Sequence, residues 1–396
     1  MSETSNNYTW VDTPEGLAKF IEEQAGVEWL AFDTEFIGEK RYYTLLCLIQ
    51  VASPAGVYLI DPLAIENLDG FVDLIEDPNI VKLTHAGDND YRLFYQEFKC
   101  VPKNLFDTQI AAGFVDYRYP TSFGKLIEAE LNVSLGKGFA VTDWQRRPMT
   151  SKQIQYALND VIYLKELYDS LVKKLKEKGR YDWALEECAI MTTEDYYYRD
   201  PHHEALNSKL LQTSRKRDRL FLLRLFNWRR AEAERKDYSK EMILPSKMFS
   251  PLVRSIRAGR DSLLENRRLP TKTVQRYGDI FLDFYNDEIT PEEQEVLARV
   301  PRHQVDEQED DMLLDLLYIL LKYRSHEEGI SHQLVMAKSA IKKMREDEVL
   351  RNRMLGSGWR RELMGDEFID WLKNFSQLQL HIEGGTVKLS LAEQTT

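Results

Sequence analysis

Short apolar runs rich in branched residues recur through the first part of the chain, at Val27–Phe32, Leu45–Ala52, Val57–Ile60 and Ile80–Thr84. Each has the length and make-up of a buried strand. Helical spacing of apolar positions then takes over around Asp90–Phe98, Thr108–Val115, Phe123–Leu131 and Lys152–Lys176. Thr13 followed by Pro14 marks an earlier helix start, with a hydroxyl cap and proline at the first helical position. The first three strands are joined by short connections, which favours antiparallel pairing, and the fourth is reached through a helix around Phe71–Glu76. The pattern predicts an α/β domain with a mixed sheet, not a doubly wound parallel one.

Beyond Glu177 the strand signals nearly vanish. The segment TTEDYYYRDPHHEALN reads as a polar linker with Pro201 inside it, and helical modules follow. One runs to about Asn286; the EITPEEQ segment with Pro291 and the acidic run Asp306–Asp311 separate it from a second, ending near Phe375. The domains expected are 1–200, 205–287 and 288–380, with a tail over 381–396. QLQLHIEGGTVKLSLAEQTT hints at a hairpin around Gly384 and Gly385, but reads as a loosely ordered end.

With 396 residues, 43% of them hydrophobic and 30% charged, the chain has room for two or three cores. Its three cysteines, Cys47, Cys100 and Cys188, have no paired spacing, which argues against a disulfide framework or a structural zinc. There is neither a leader-like N-terminus nor an apolar stretch of membrane-spanning length, so a cytoplasmic protein without membrane contact is expected. The net charge of −12 argues against a nucleic-acid partner only if it is evenly spread. From Ser208 to Arg276, however, 19 Lys or Arg face 7 Asp or Glu, so one module is built to meet an anion.

The first apolar strand carries Asp33 and Glu35 at its end with Thr34 between them. Side chains two apart point to one face, so both carboxylates can converge on one object such as a metal ion. A solvated strand end explains the same pair. The fourth strand ends in His85-Ala86-Gly87 and places Asp88 and Asp90 at a helix start, where acidic residues also complement the helix dipole. Tyr156 and Asp160 stand four apart on one helical face, beside a stripe of Ile154, Ala157, Val161, Leu164 and Leu171. Taken alone, that pair could simply hydrogen-bond to each other.

As a set, the D-x-E, the Asp after a second strand with its HAG turn, and the Y-x-x-x-D on a later helix resemble the three exonuclease motifs of the DEDD superfamily, in its tyrosine-containing branch. Within it the chain is most similar to the bacterial ribonuclease D family. YYTLLCLIQVA, FDTQIAAGF and TDWQRRPMTSKQIQYALNDVIYL extend the resemblance over about residues 10–180. Leu210–Tyr285 resembles an HRDC domain, and GWRRELMG at Gly358–Gly365 resembles the region where the family carries a second, diverged one.

The resemblance implies a ribonuclease H-like (DnaQ-like) exonuclease domain followed by two all-α HRDC-type domains. It implies a 3′–5′ exoribonuclease that releases nucleoside 5′-monophosphates in tRNA 3′-end processing or stable RNA turnover, acting as a monomer on RNA with a free 3′ end such as a tRNA precursor. Carried over, the catalytic set is Asp33, Glu35, Asp90, Tyr156 and Asp160, the four carboxylates holding two divalent cations, Mg²⁺ or Mn²⁺. Asp88 falls two residues too early. A DNA exonuclease and a catalytically silent RNA-binding adaptor are the alternatives, and the intact carboxylate set argues against the second.

Hard divalent cations take carboxylate and phosphate oxygens rather than His or Cys. Four carboxylates facing one another without them would repel and hold their protons more tightly. His85 reads as a hydrogen-bonded structural residue, not a general base. Lys137, Trp144, Arg146 and Arg147, just before the catalytic helix, could stack on and contact the 3′ end; a packed Trp with solvated arginines is the alternative. Arg215, Lys216 and Arg217 of the basic module are candidates for phosphate contacts.

Overall fold

The computed structural model describes residues 7–136, 142–300, 308–373, 378–383 and 386–391. The chain divides into two compact units. One comprises Met1–Glu35, Leu46–Tyr197 and Asp306–Thr396, the other Phe36–Leu45 and Tyr198–Val305.

The first unit is built on a six-stranded mixed sheet in the order β1-β4-β3-β2-β5-β6. The strands are β1 (Thr9–Val11), β2 (Trp29–Ile37), β3 (Leu45–Ser53), β4 (Gly56–Ile60), β5 (Val81–Thr84) and β6 (Leu105–Asp107). β3 and β4 pair antiparallel; β1 with β4, β2 with β5, and β5 with β6 pair parallel. Strand periodicity sorts β2 between two cores. Leu30 and Phe32 join one that also holds Phe20, Phe71, Tyr91 and Phe94, while Ala31 joins the other with Leu83, Phe106, Val161 and Leu164.

Around the sheet lie α1 (Pro14–Glu23), α2 (Asp69–Glu76), α3 (Asp88–Phe98), α4 (Thr108–Ala112), α5 (Phe123–Leu131), α6 (Ser151–Ile162), α7 (Leu164–Glu177) and α8 (Tyr181–Ala189). The mixed α/β architecture is the one expected, with four local corrections. β1 and β6, three residues each, are too short to show a period and exist through their pairing with β4 and β5. β2 runs on to Ile37, so Asp33 and Glu35 lie inside the strand, not at its end. The helix expected over Lys152–Lys176 is two, broken at Tyr163, where neither Gly nor Pro announces the break. The polar linker holds short helices at Glu194–Tyr197 and His203–Leu206.

Helices beyond residue 308 share a core with the α5 and α7 face of the sheet: Leu317, Leu321, Ile341, Met344 and Leu363 belong to the same cluster as Phe114, Leu126 and Leu171. Trp359, fully buried, sets its ring edge-on to Phe114 at 4.7 Å and donates its indole N–H to Glu187 at 2.9 Å. Arg360 clasps the same carboxylate with two bonds of 2.6 and 2.7 Å. The chain end is not the loose tail expected. β7 (Leu378–Glu383) and β8 (Thr386–Leu391) pair antiparallel, because LQLHIE and TVKLSL alternate apolar and polar positions on either side of two glycines.

The second unit is helical apart from the 36–45 segment. Its longest helix, Lys216–Lys236, packs Phe221, Leu222 and Leu225 into a core with Leu252, Val274 and Phe281. Asp237, at the left-handed C-cap of that helix, accepts the amides of Tyr42 and Tyr43 at 3.1 and 2.9 Å and pairs with Arg41 at 2.7 Å.

Candidate active site

Alternation along β2 decides what meets what. Asp33 and Glu35 share the face of Ala31, toward the core that holds Val161 of α6. One carboxylate oxygen from each of Asp33, Glu35 and Asp160 lies within 4.8 Å of the others, a group able to hold a metal ion. Thr34 points to the opposite face, that of Phe32, whose ring packs edge-on against Tyr91 at 5.5 Å and Phe94 at 6.0 Å of α3. That packing brings α3 to the strand, and the Thr34 hydroxyl donates to the carboxylate of Asp90.

Asp160 and Tyr156 owe their placement to the start of α6. Thr150 caps it by accepting the Gln153 amide at 3.3 Å, while the Gln153 side chain accepts the Thr150 amide at 3.0 Å. Gln153 also donates to the Asp143 carbonyl at 3.1 Å, tying the preceding loop to the first helical turn. From that start, Tyr156 and Asp160 fall on one face, four residues apart, with the phenol near enough to the Asp160 carboxyl to draw its pKa down. One Asp160 oxygen, Oδ2, is buried and has no protein partner.

The electrostatics are those of like charges held out of water. Burial, then the charges of Asp90, Asp160 and Glu35, hold the Asp33 carboxyl well above the usual carboxylate range. Burial, with Asp160 and Asp90, pushes Glu35 up to about 9. Asp160 rises to about 7 by burial, against the pull of the Tyr156 hydrogen bond; Asp90 rises to about 7 by burial, against that of Thr34. Tyr156 is raised by burial and by the three carboxylates beside it, so its phenol keeps its proton. Oxygen-only donors, surplus negative charge and an orphaned buried carboxylate oxygen together fit a hard divalent cation.

The other candidates are placed as follows. Asp88 pairs with Arg92 at 2.9 Å and accepts from the Tyr196 hydroxyl at 2.7 Å. His85 lies 3.1 Å from the Thr121 carbonyl through Nε2 and 2.9 Å from the Thr108 hydroxyl through Nδ1. The Thr108 hydroxyl in turn donates to the Thr84 carbonyl at 3.0 Å, and burial pushes the imidazole pKa down, which favours a neutral ring. Both nitrogens are engaged in holding the chain.

Trp144 is 2% exposed and packs beside the Tyr156 ring, 6.0 Å between centroids, so it offers its bulk to Tyr156 and no open face. Arg147 forms two bonds to Asp61, of 2.5 and 2.7 Å, and donates to the carbonyls of Cys47 and Trp144 at 2.6 and 2.8 Å. Arg146 is exposed. Lys137 lies outside the described residues. In the basic helical unit Arg215, Lys216 and Arg217 are all exposed, with the Arg217 guanidinium 5.6 Å from the centre of the Tyr285 ring. Sequence reading passed over Thr34, whose position between two like-facing carboxylates already sends it to the opposite face, and Gln153, whose T-x-x-Q frame is a capping-box signal.

Comparison with known proteins bears on the family of the chain. A family described as 3′-5′ exonuclease matches residues 8–176. Ribonuclease D of Sphingobium indicum is 30% identical over 382 residues, covering 94% of this chain and 96% of its own. That of Nitrobacter hamburgensis is 29% identical over 386 residues, covering 95% and 98%. The crystal structure of Escherichia coli RNase D, an exoribonuclease involved in structured RNA processing, superposes with a TM-score of 0.80 at 26% identity, over 93% of this chain and 99% of its own. A mixed sheet bearing the D-x-E, Asp and Y-x-x-x-D residues, helical segments following it along the chain, and ribonuclease D relatives matched over nearly their whole length place this chain in the ribonuclease D family of 3′–5′ exoribonucleases.

Proposed function

We propose that this exoribonuclease works with two divalent cations, Mg²⁺ or Mn²⁺, and trims RNA from a free 3′ end, releasing nucleoside 5′-monophosphates. The observation that carries the reading is the convergence of Asp33, Glu35 and Asp160 within 4.8 Å, with Asp90 held beside them by Thr34. Asp33 would serve both ions, Glu35 and Asp160 would complete one position, and Asp90 would hold the other. Bound there, the pair would lower the pKa of the attacking water and stabilise the departing sugar oxygen.

The chain's own residues supply the rest. Tyr156 keeps its proton and stands over Asp160, so it can donate to the attacking water and orient it. Trp144 limits the freedom of the Tyr156 ring, and Arg147, bound to Asp61, anchors the loop that carries Trp144. The HRDC domain over 205–287, through Arg215, Lys216 and Arg217, would add phosphate contacts of low sequence preference. A second HRDC-like domain would span 288–380. Relatives named ribonuclease D, one of them involved in structured RNA processing, support a structured RNA as substrate; tRNA precursors or stable RNAs would be that substrate, and the enzyme would act as a cytoplasmic monomer.

The test is a time course on a 5′-labelled RNA with an unpaired 3′ tail, run beside the matched DNA, with and without Mg²⁺. A metal-dependent ladder shortening from the 3′ end, absent in Asp33→Asn and weaker on DNA, is the expected result. RNA cleavage that persists in chelator, or in Asp33→Asn at full rate, would overturn the two-ion reading.

A further inference from the structure

The start of α3 is unusual in what holds it. Its N-cap, Gly87, gives no side-chain cap, yet Asp90 sits in its first turn and must face Asp33. The support comes from another strand. β5 and β6 run parallel with Thr84 opposite Asp107, which puts the end of β6 beside the HAG turn. Asp107 is 2% exposed. One of its oxygens accepts the Gly87 amide at 2.9 Å; the other accepts those of Ala86, Gln109 and Ile110 at 3.1, 2.8 and 3.3 Å.

The turn itself is constrained from both sides. Ala86 has φ of 59°, a left-handed conformation that a residue with a Cβ keeps only when its surroundings over-determine it. A Cβ at Gly87 would stand 2.6 Å from the Thr84 hydroxyl oxygen and 2.8 Å from its Cβ, so the turn is pressed against the last residue of β5. A helix transmits a displacement of its first turn rigidly, and an error of about 1 Å at a reacting centre costs on the order of 100-fold in rate.

We propose that Asp107 is a positioning residue of the active site: by gathering the amides of Ala86 and Gly87 it sets the turn from which α3 starts, and so the place of the Asp90 carboxylate as a metal ligand. The inference rests on the two-ion reading above. It separates from plain helix capping, because the bonds to Gln109 and Ile110 cap α4 while those to Ala86 and Gly87 serve the turn. An asparagine at this position can keep the oxygen that serves Gln109 and Ile110 but turns an NH₂ toward the Gly87 N–H. Asp107→Asn therefore loses a turn contact while keeping the cap.

The experiment measures Mn²⁺ binding to the full chain by the loss of the free-ion electron paramagnetic resonance signal, in wild type, Asp107→Asn and Thr13→Ala. The last removes the cap of α1 and controls for destabilisation without touching the turn. In Asp107→Asn at least one Mn²⁺ should bind about 10-fold or more weaker, as outer-shell changes at metal sites do, and RNA cleavage should recover as the metal concentration is raised. Thr13→Ala should bind Mn²⁺ like wild type. Equal affinity in Asp107→Asn and wild type would refute the positioning role and leave the two-ion reading standing; a wild type that binds no Mn²⁺ would remove both. Should Asp107→Asn not fold, Gly87→Ala displaces the turn with Asp107 intact, and unchanged Mn²⁺ affinity there would equally overturn the proposal.

Discussion

Replacing Asp33 by Asn should abolish cleavage and yet stabilise the metal-free enzyme. Asp33 shares a group with Glu35 and Asp160 in which one oxygen of each lies within 4.8 Å of the others. Two full charges that close repel by about 3 kcal/mol at the effective dielectric suited to protein sites. Not all are charged together, since Glu35 is pushed up to about 9 and Asp33 is itself held well above the usual carboxylate range, so protons are shared among them at neutral pH. The relief on neutralising Asp33 is therefore nearer one pair than three, about 1–3 kcal/mol, or a rise in Tm of about 2–10 °C for a unit of this size.

The sign with pH follows from the direction of the shifts. Below the unfolded carboxylate range of about 4 every group is protonated in both states, and the destabilisation is absent. As pH rises toward about 7 for Asp90 and Asp160 and about 9 for Glu35, the folded state holds protons that the unfolded state has released. Stability of the metal-free wild type must fall through that window. Scanning calorimetry in chelator, stepped from about pH 5 to about pH 8, should show the variant's advantage opening with pH. Saturating Mg²⁺ should reverse the order, because only wild type gains the full binding free energy. A variant less stable than wild type in chelator at about pH 8, or an advantage that does not change with pH, would show that these carboxylates do not repel in the metal-free fold.

Tyr156→Phe removes only the phenol hydroxyl; the rate should fall about 100-fold with KM and Mn²⁺ affinity within about twofold, read by single-turnover cleavage. Arg147→Ala leaves Asp61, 4% exposed, without its partner and should cost about 3–5 kcal/mol in denaturant unfolding, with Arg147→Lys failing to restore the forked contact. Trp359→Ala opens a hole against Phe114 and strips Glu187 of one donor, for a loss of about 3–5 kcal/mol by the same measurement. Joint replacement of Arg215, Lys216 and Arg217 by Ala should weaken RNA binding and flatten the plot of log affinity against log salt by about 2, at about 0.7 per lost phosphate contact; an unchanged slope would remove them from the interface.

The proposed chemistry was written in local spacing. Asp33, Glu35, Asp90, Tyr156 and Asp160 are legible because D-x-E in a strand and Y-x-x-x-D in a helix are local periodicities, and local backbone geometry dictates which side chains share a face. The α/β order and the basic helical module were legible for the same reason, being written in short-range apolar spacing and in charge. Relations between residues distant along the chain came from packing instead. Arg147 is held by Asp61, Trp144 is buried beside Tyr156, and helices beyond residue 308 close over the core that begins in the first domain. β1 and β6 exist only through their neighbours, and Asp107, an ordinary residue in FDTQ, becomes the clamp of the turn before Asp90 because Thr84 lies opposite it in the sheet. No period in a sequence encodes which strand lies beside which; packing and pairing across the sheet settle that, and with it the supports on which the proposed metal-binding carboxylates stand.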